Sequence, residues 1–161
     1  MQLQQSKPVR DQGLELLVYM LKNGNVYGVS NAAQALADMG EVAVAPLMHL
    51  LRDTDQSARW RAAMALQKLG SPAVPSLITA LREEEWYVRT PAIWALSHIG
   101  DVRSVDPLIG LLHDSNECCR WMAAAALKTL GDPKGVEAVR IVIEEEGGSF
   151  EEIVNELVEG S

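Results

Sequence analysis

The residues able to do chemistry are few and scattered. Histidines stand at positions 49, 98 and 113 and the only cysteines at 118 and 119. A zinc hydrolase needs two imidazoles one helical turn apart with a glutamate between them, and a structural zinc site needs paired thiols; neither H-E-x-x-H nor C-x-x-C occurs. His49, His98 and His113 fall on different helices or columns, so no metal, no cofactor and no catalytic residue is assigned. Cys118 and Cys119 could make a thiol site, but a free cysteine is more often a small buried hydrophobe. Adjacent cysteines cannot staple distant segments, which fits a reducing compartment. Arg59, Arg89 and Arg120 recur in one column and Asp101 and Asp132 in another. These could form an anion-binding ladder. Their strict period favours a structural role, in which each Arg bonds a neighbouring Asp or a helix-terminal carbonyl and ties one unit to the next.

A stronger signal is aromatic. In WYVRTPAIWALSHIGD, residues 86–101, Val88, Ala92, Ala95, Leu96 and Ile99 share a helical arc about 100° wide, the width of a buried stripe. Trp86, Thr90, Trp94 and His98 recur outside it, where a solvated helix would carry Glu or Lys.

These residues sit in a repeat. Similar phrases close at Gly40 (QALADMG), Gly70 (MALQKLG), Gly100 (WALSHIG) and Gly131 (AALKTLG), at intervals of 30, 30 and 31 residues. Such a period marks stacked units that bury their apolar faces against one another. Each unit has an alanine-rich first helix ending at a glycine suited to a left-handed cap, and a second helix with Pro46, Pro75 or Pro107 in its first turn. The ends are atypical. Residues 14–22 align with a second helix alone. After Gly147-Gly148, Ser149 and Glu152 predict a capping box for a short acidic helix with an apolar stripe of Phe150, Ile153, Val154, Leu157 and Val158.

From Val88 to Leu112 the phrases V-R, A-x-x-A-L, I-G-D, V-D-P-L-I and L-L follow in order. This pattern resembles the HEAT-like repeat named after phycobilisome lyases, over roughly residues 12–145. The resemblance implies an all-α, right-handed solenoid of stacked helical hairpins. It is compatible with bilin lyase subunits, phycobilisome-degradation proteins, a di-iron hydroxylase and adaptor proteins, among which fold alone does not choose. The hydroxylases carry His-Glu pairs directly after the repeated Arg. Here those positions hold Trp60-Arg61, Thr90-Pro91 and Trp121-Met122, which removes that reading.

In the same family the columns around the first helix vary and line a surface used for partners. All four tryptophans fall in them, with Trp60 and Trp121 in one column. Packing between hairpins would be the plain explanation. Since Ala, Leu and Ile already fill the core stripe, an exposed patch is expected instead: Tyr27, Trp60, Met64, Trp86, Tyr87, Trp94, Trp121 and Met122, with Arg61, Lys68 and His98 for polar contacts.

Charge sets further bounds. Residues 141–161 hold seven Glu and no Lys or Arg, while residues 1–140 hold 15 acids against 14 bases. With no basic stripe, nucleic-acid binding, including a glycosylase of this fold, is not expected. Glu83, Glu84 and Glu85 are expected to serve the positive end of the following helix. No stretch is long and apolar enough to span a membrane, and a cytoplasmic protein is expected. The expectation is one domain over 1–161, with a cap helix over 1–23, repeats over 24–146 and an acidic cap helix over 147–161. Its expected function is that of a non-catalytic scaffold binding another protein. The alternative is a chromophore-handling protein like a bilin lyase subunit, stacking a tetrapyrrole in the same groove and, if an enzyme, acting within such a complex. A homodimer through the patch is a further option.

Overall fold

A computed structural model describes residues 9–160, and every regular element among them is helical. The chain is organised in two compact units, the first ending at Leu69 and the second beginning at Gly70, one of the repeat glycines.

In the first unit α1 (Val9–Asn23) and α2 (Val26–Asp38) form a hairpin, a 3-10 turn (Gly40–Ala43) leads into α3 (Val44–Leu50), and α4 (Gln56–Leu69) packs on all three. Leu21, Leu36, Leu47, Leu51 and Leu66 are fully buried between faces of Ala32, Ala33, Ala62 and Ala63. Each buried leucine contributes about 1.5–3 kcal/mol, and the alanines allow close approach of the helices. The expected cap segment over 1–23 is represented by α1; residues 1–8 and 161 lie outside the described residues.

The second unit opens with a 3-10 turn (Ser71–Ala73) and continues through α5 (Val74–Ala80), α6 (Trp86–Ile99), another turn (Val102–Ser104), α7 (Val105–Ile109), α8 (Glu117–Leu130), α9 (Pro133–Glu146) and α10 (Gly148–Glu159). α6 packs on α5 and α8, and α8 also packs on α7, α9 and α10. Leu77, Ile93, Leu96, Leu108, Leu112 and Leu127 fill the seam, each less than 2 % exposed.

The local signals act as their chemistry predicts. Gly100 and Gly131 end α6 and α8 in the left-handed region, at φ of 73° and 66°, and their amides bond the carbonyls of Leu96 and Leu127. Asn25, Asp55 and Asn116 accept hydrogen bonds from the first-turn amides of α2, α4 and α8. Pro46, Pro75 and Pro107 lie within the first three residues of α3, α5 and α7.

Two expectations change. Ser149 makes no capping box, because α10 starts at Gly148 and its cap position is Gly147, at φ 93°, with no side-chain cap bond. Thr90 is only 4 % exposed and Pro91 is buried inside α6, so the off-stripe series is interrupted. Helices on two sides of α6 cover a wider arc than a single 100° stripe.

The repeated arginines hold the turns between hairpins. Arg59 Nη1 donates to the carbonyls of Asp53 and Thr54 at 2.8 and 2.9 Å, Arg89 Nη1 to those of Glu83 and Glu84 at 2.7 Å each, and Arg120 Nη1 to that of Asp114 at 2.9 Å. The aspartates after the glycines do other work: Asp101 pairs with Arg103, and Asp132 caps α9 through the amides of Lys134 and Gly135. The anion ladder is therefore not formed by Arg89, whose charge is met internally by Asp114.

Candidate functional site

The first helix of each hairpin presents the variable columns, and each unit carries its own set. In the first unit Tyr27 stands at the start of α2, 82 % exposed beside Val26 at 83 %. On α4, Met64 is 46 % exposed and Lys68 is exposed, while Trp60 is half-buried. Arg61 is half-buried and committed to the fold, since its Nη1 donates to the carbonyls of Lys22 and Leu21 at 2.6 and 3.3 Å. That bond satisfies the carboxyl end of α1 and removes Arg61 from the set of free polar contacts.

In the second unit the residues form two groups along α6. At its amino end Trp86 and Tyr87 are 49 % and 37 % exposed and meet edge to face, with ring centroids 6.1 Å apart and planes at 77°. Two turns further on, Trp94 and His98 stack with centroids 4.2 Å apart and planes at 30°. His98 Nδ1 lies 2.9 Å from the Trp94 carbonyl and 3.0 Å from Ser97 Oγ. Ser97 Oγ donates to the same carbonyl at 2.8 Å.

Trp94 and His98 border a small cleft completed by Met122 and Thr129 of α8 and by Leu157 of α10. Trp121 is half-buried on α8. Leu157 was read from sequence as part of a capping stripe. Its place in the cleft follows from α10 packing on α8, where Phe150 and Val154 are buried and Lys128 Nζ donates to Asn155 Oδ1 at 2.5 Å. The cleft holds about 80 Å³. Small-molecule sites usually offer roughly 300–1,000 Å³.

Two larger grooves lie between second helices and escaped the sequence reading. One, of about 420 Å³, runs between α1 and α3 along Leu14, Val18, Pro46 and His49; the other, of about 460 Å³, runs between α5 and α7 along Ile78, Leu81, Pro107 and Leu111. Short apolar side chains beside prolines gave no distinctive pattern. Tyr19 and Leu16, 65 % and 58 % exposed on α1, were also missed because they sit inside an almost continuous apolar run.

The thiols are suppressed. Burial pushes Cys119 up to about 11 and also raises Cys118. Among the described residues no group of three or more His, Cys, Asp or Glu is placed to hold a metal ion, and no helix is long and apolar enough to cross a membrane.

Stacked, glycine-capped hairpins with a recurring arginine that bonds the turn carbonyls define a helical-repeat protein. The family model for HEAT repeats matches residues 14–97 and 74–149, and the chain belongs to that family. Comparison with curated protein sequences gives no match. Among solved structures, a chain from the complex of CpcE and CpcF of phycocyanin lyase from Nostoc sp. PCC7120 superposes with a TM-score of 0.63 at 18% identity, covering 91% of this chain and 98% of that one. A designed armadillo repeat protein in complex with the peptide (KR)4 gives 0.50 at 18% identity, covering 94% and 82%. An engineered protein gives 0.50 at 22% identity, covering 94% and 80%. These likenesses agree with the all-α HEAT-repeat fold.

Proposed function

We propose that this protein is a non-catalytic scaffold that docks another protein on the outward columns of its first helices. The docking residues are Trp86, Tyr87, Trp94, His98, Trp121 and Met122 in the second unit, and Tyr27, Trp60, Met64 and Lys68 in the first. The observation that carries this reading is the exposed Trp86 and Tyr87 pair on a helix whose core is already filled by Val88, Ala92, Ile93 and Leu96. Aromatic side chains of this kind supply much of the energy of protein interfaces, whereas solvent-facing helix positions gain nothing from them. Two fold neighbours were solved with partners, one in a two-protein complex and one with a peptide, which supports the same class of function.

A tetrapyrrole is disfavoured at the Trp94 and His98 cleft, because about 80 Å³, bordered by Leu157, is small for a flat tetrapyrrole. The reading is tested by capture from an extract of the source cells, with wild type beside a Trp86→Ala, Tyr87→Ala variant of equal melting temperature. A protein retained by wild type and lost by the variant is the expected result; identical captures would refute it.

A further inference from the structure

We propose that the amino end of α6 receives a Lys/Arg-rich segment of the partner, with the cation held over Trp86 and Tyr87 and its charge met by Glu84 and Glu85. This rests on the protein-binding reading above and specifies the chemistry of the partner.

Three observations meet at this place. First, Trp86 and Tyr87 are exposed and meet edge to face in the first turn of α6. Trp86 is 49 % exposed, and the negative face of an aromatic ring attracts a cation whose centre comes within about 6 Å. Second, Glu84 and Glu85 immediately precede the pair and are both exposed. The helix start does not consume them: Glu85 makes no side-chain cap bond, and Glu84 gives only its backbone carbonyl to Arg89. Third, the surrounding positive charge is largely spent. Arg89 is buried on Asp114 at 2.7 Å, and Arg120 lies 3.7 Å from Glu117 Oε1. The first turn of α8, which carries the exposed Glu117, lies alongside, since Cys119 Sγ is 3.9 Å from the Trp86 carbonyl. Arg82 remains as the base sharing a groove with Glu83, Glu84 and Glu85.

An acidic segment would meet like charge here. A purely apolar one would cover Glu84 and Glu85 without pairing them, a costly burial. A basic segment satisfies rings and carboxylates together, and the two carboxylates offset the positive end of the helix macrodipole that would otherwise repel a cation.

The test is fluorescence anisotropy at low salt with a labelled peptide of alternating Lys and Arg, beside one of alternating Glu and Asp. The wild-type protein should bind the basic peptide in preference and lose affinity as salt rises. Glu84→Gln with Glu85→Gln should weaken it about tenfold. Trp86→Leu should weaken it about threefold. Equal binding of the two peptides, or unchanged binding by the double Gln variant, would overturn the proposal. A captured partner that depends on Trp86 and Tyr87 but not on Glu84 and Glu85 would leave the docking reading intact and overturn this one alone.

Discussion

Arg89 Nη2 lies 2.7 Å from Asp114 Oδ1, and only 9% and 8% of the two side chains is exposed. Arg89 comes from the first helix of one hairpin and Asp114 from the turn that opens the next, so the pair fastens consecutive repeats of the second unit. Burial works against the guanidinium charge, and the Asp114 carboxylate more than compensates, leaving the Arg89 pKa above its ordinary value. Removing one partner strands the other in a dry site. Asp114→Ala should therefore destabilise the protein by about 3 kcal/mol, read as a lower urea midpoint.

Acid should loosen the second unit through Asp101. Hydrogen bonds from the Arg103 side chain and amide hold its carboxyl at about 2, below the ordinary 3.8. A depressed folded-state pKa gives stability that is full above the unfolded value and is lost as pH falls from about 4 towards 2. In the first unit Asp53, lowered chiefly by Lys22, acts in the same direction. Melting temperatures between pH 5 and 2 should fall less steeply for Asp101→Asn than for wild type.

Gly131 ends α8 at φ 66°, and a Cβ there would meet nothing within 4 Å. The cost of Gly131→Ala is then conformational alone, about 1–2 kcal/mol by thermal or urea unfolding.

α10 should detach before the rest. Phe150 is 4 % exposed and anchors the helix, whose link to α9 turns at Gly147. Phe150→Ala should cost about 3 kcal/mol and raise amide exchange throughout α10, with α6 and α8 still protected.

The fold was largely legible because the repeat writes itself several times. Gly100 and Gly131 mark helix ends by a requirement few other residues meet, and the prolines mark starts. Ser149 misled because a capping box describes local chemistry, whereas the turn at Gly147 set the helix start two residues earlier. Thr90 and Pro91 misled because a 100° stripe counts one packing neighbour and α6 has two within its unit. For the site, a variable column picks out candidate outward residues, not all of which are exposed, and it carries no record of commitments made by distant backbone. Arg61 is the instance: its link to the carbonyl of Lys22 joins residues far apart in sequence.

The central claim is that the first-helix columns are the docking face. Photo-crosslinking measures this directly, with a benzophenone side chain placed in turn at Tyr27 and Tyr87 on that face and at His49 and Thr79 on the second helices, all four exposed. Partner adducts at Tyr27 or Tyr87 and none at His49 or Thr79 are predicted; adducts confined to His49 and Thr79 would place the partner on the second-helix grooves and contradict the account.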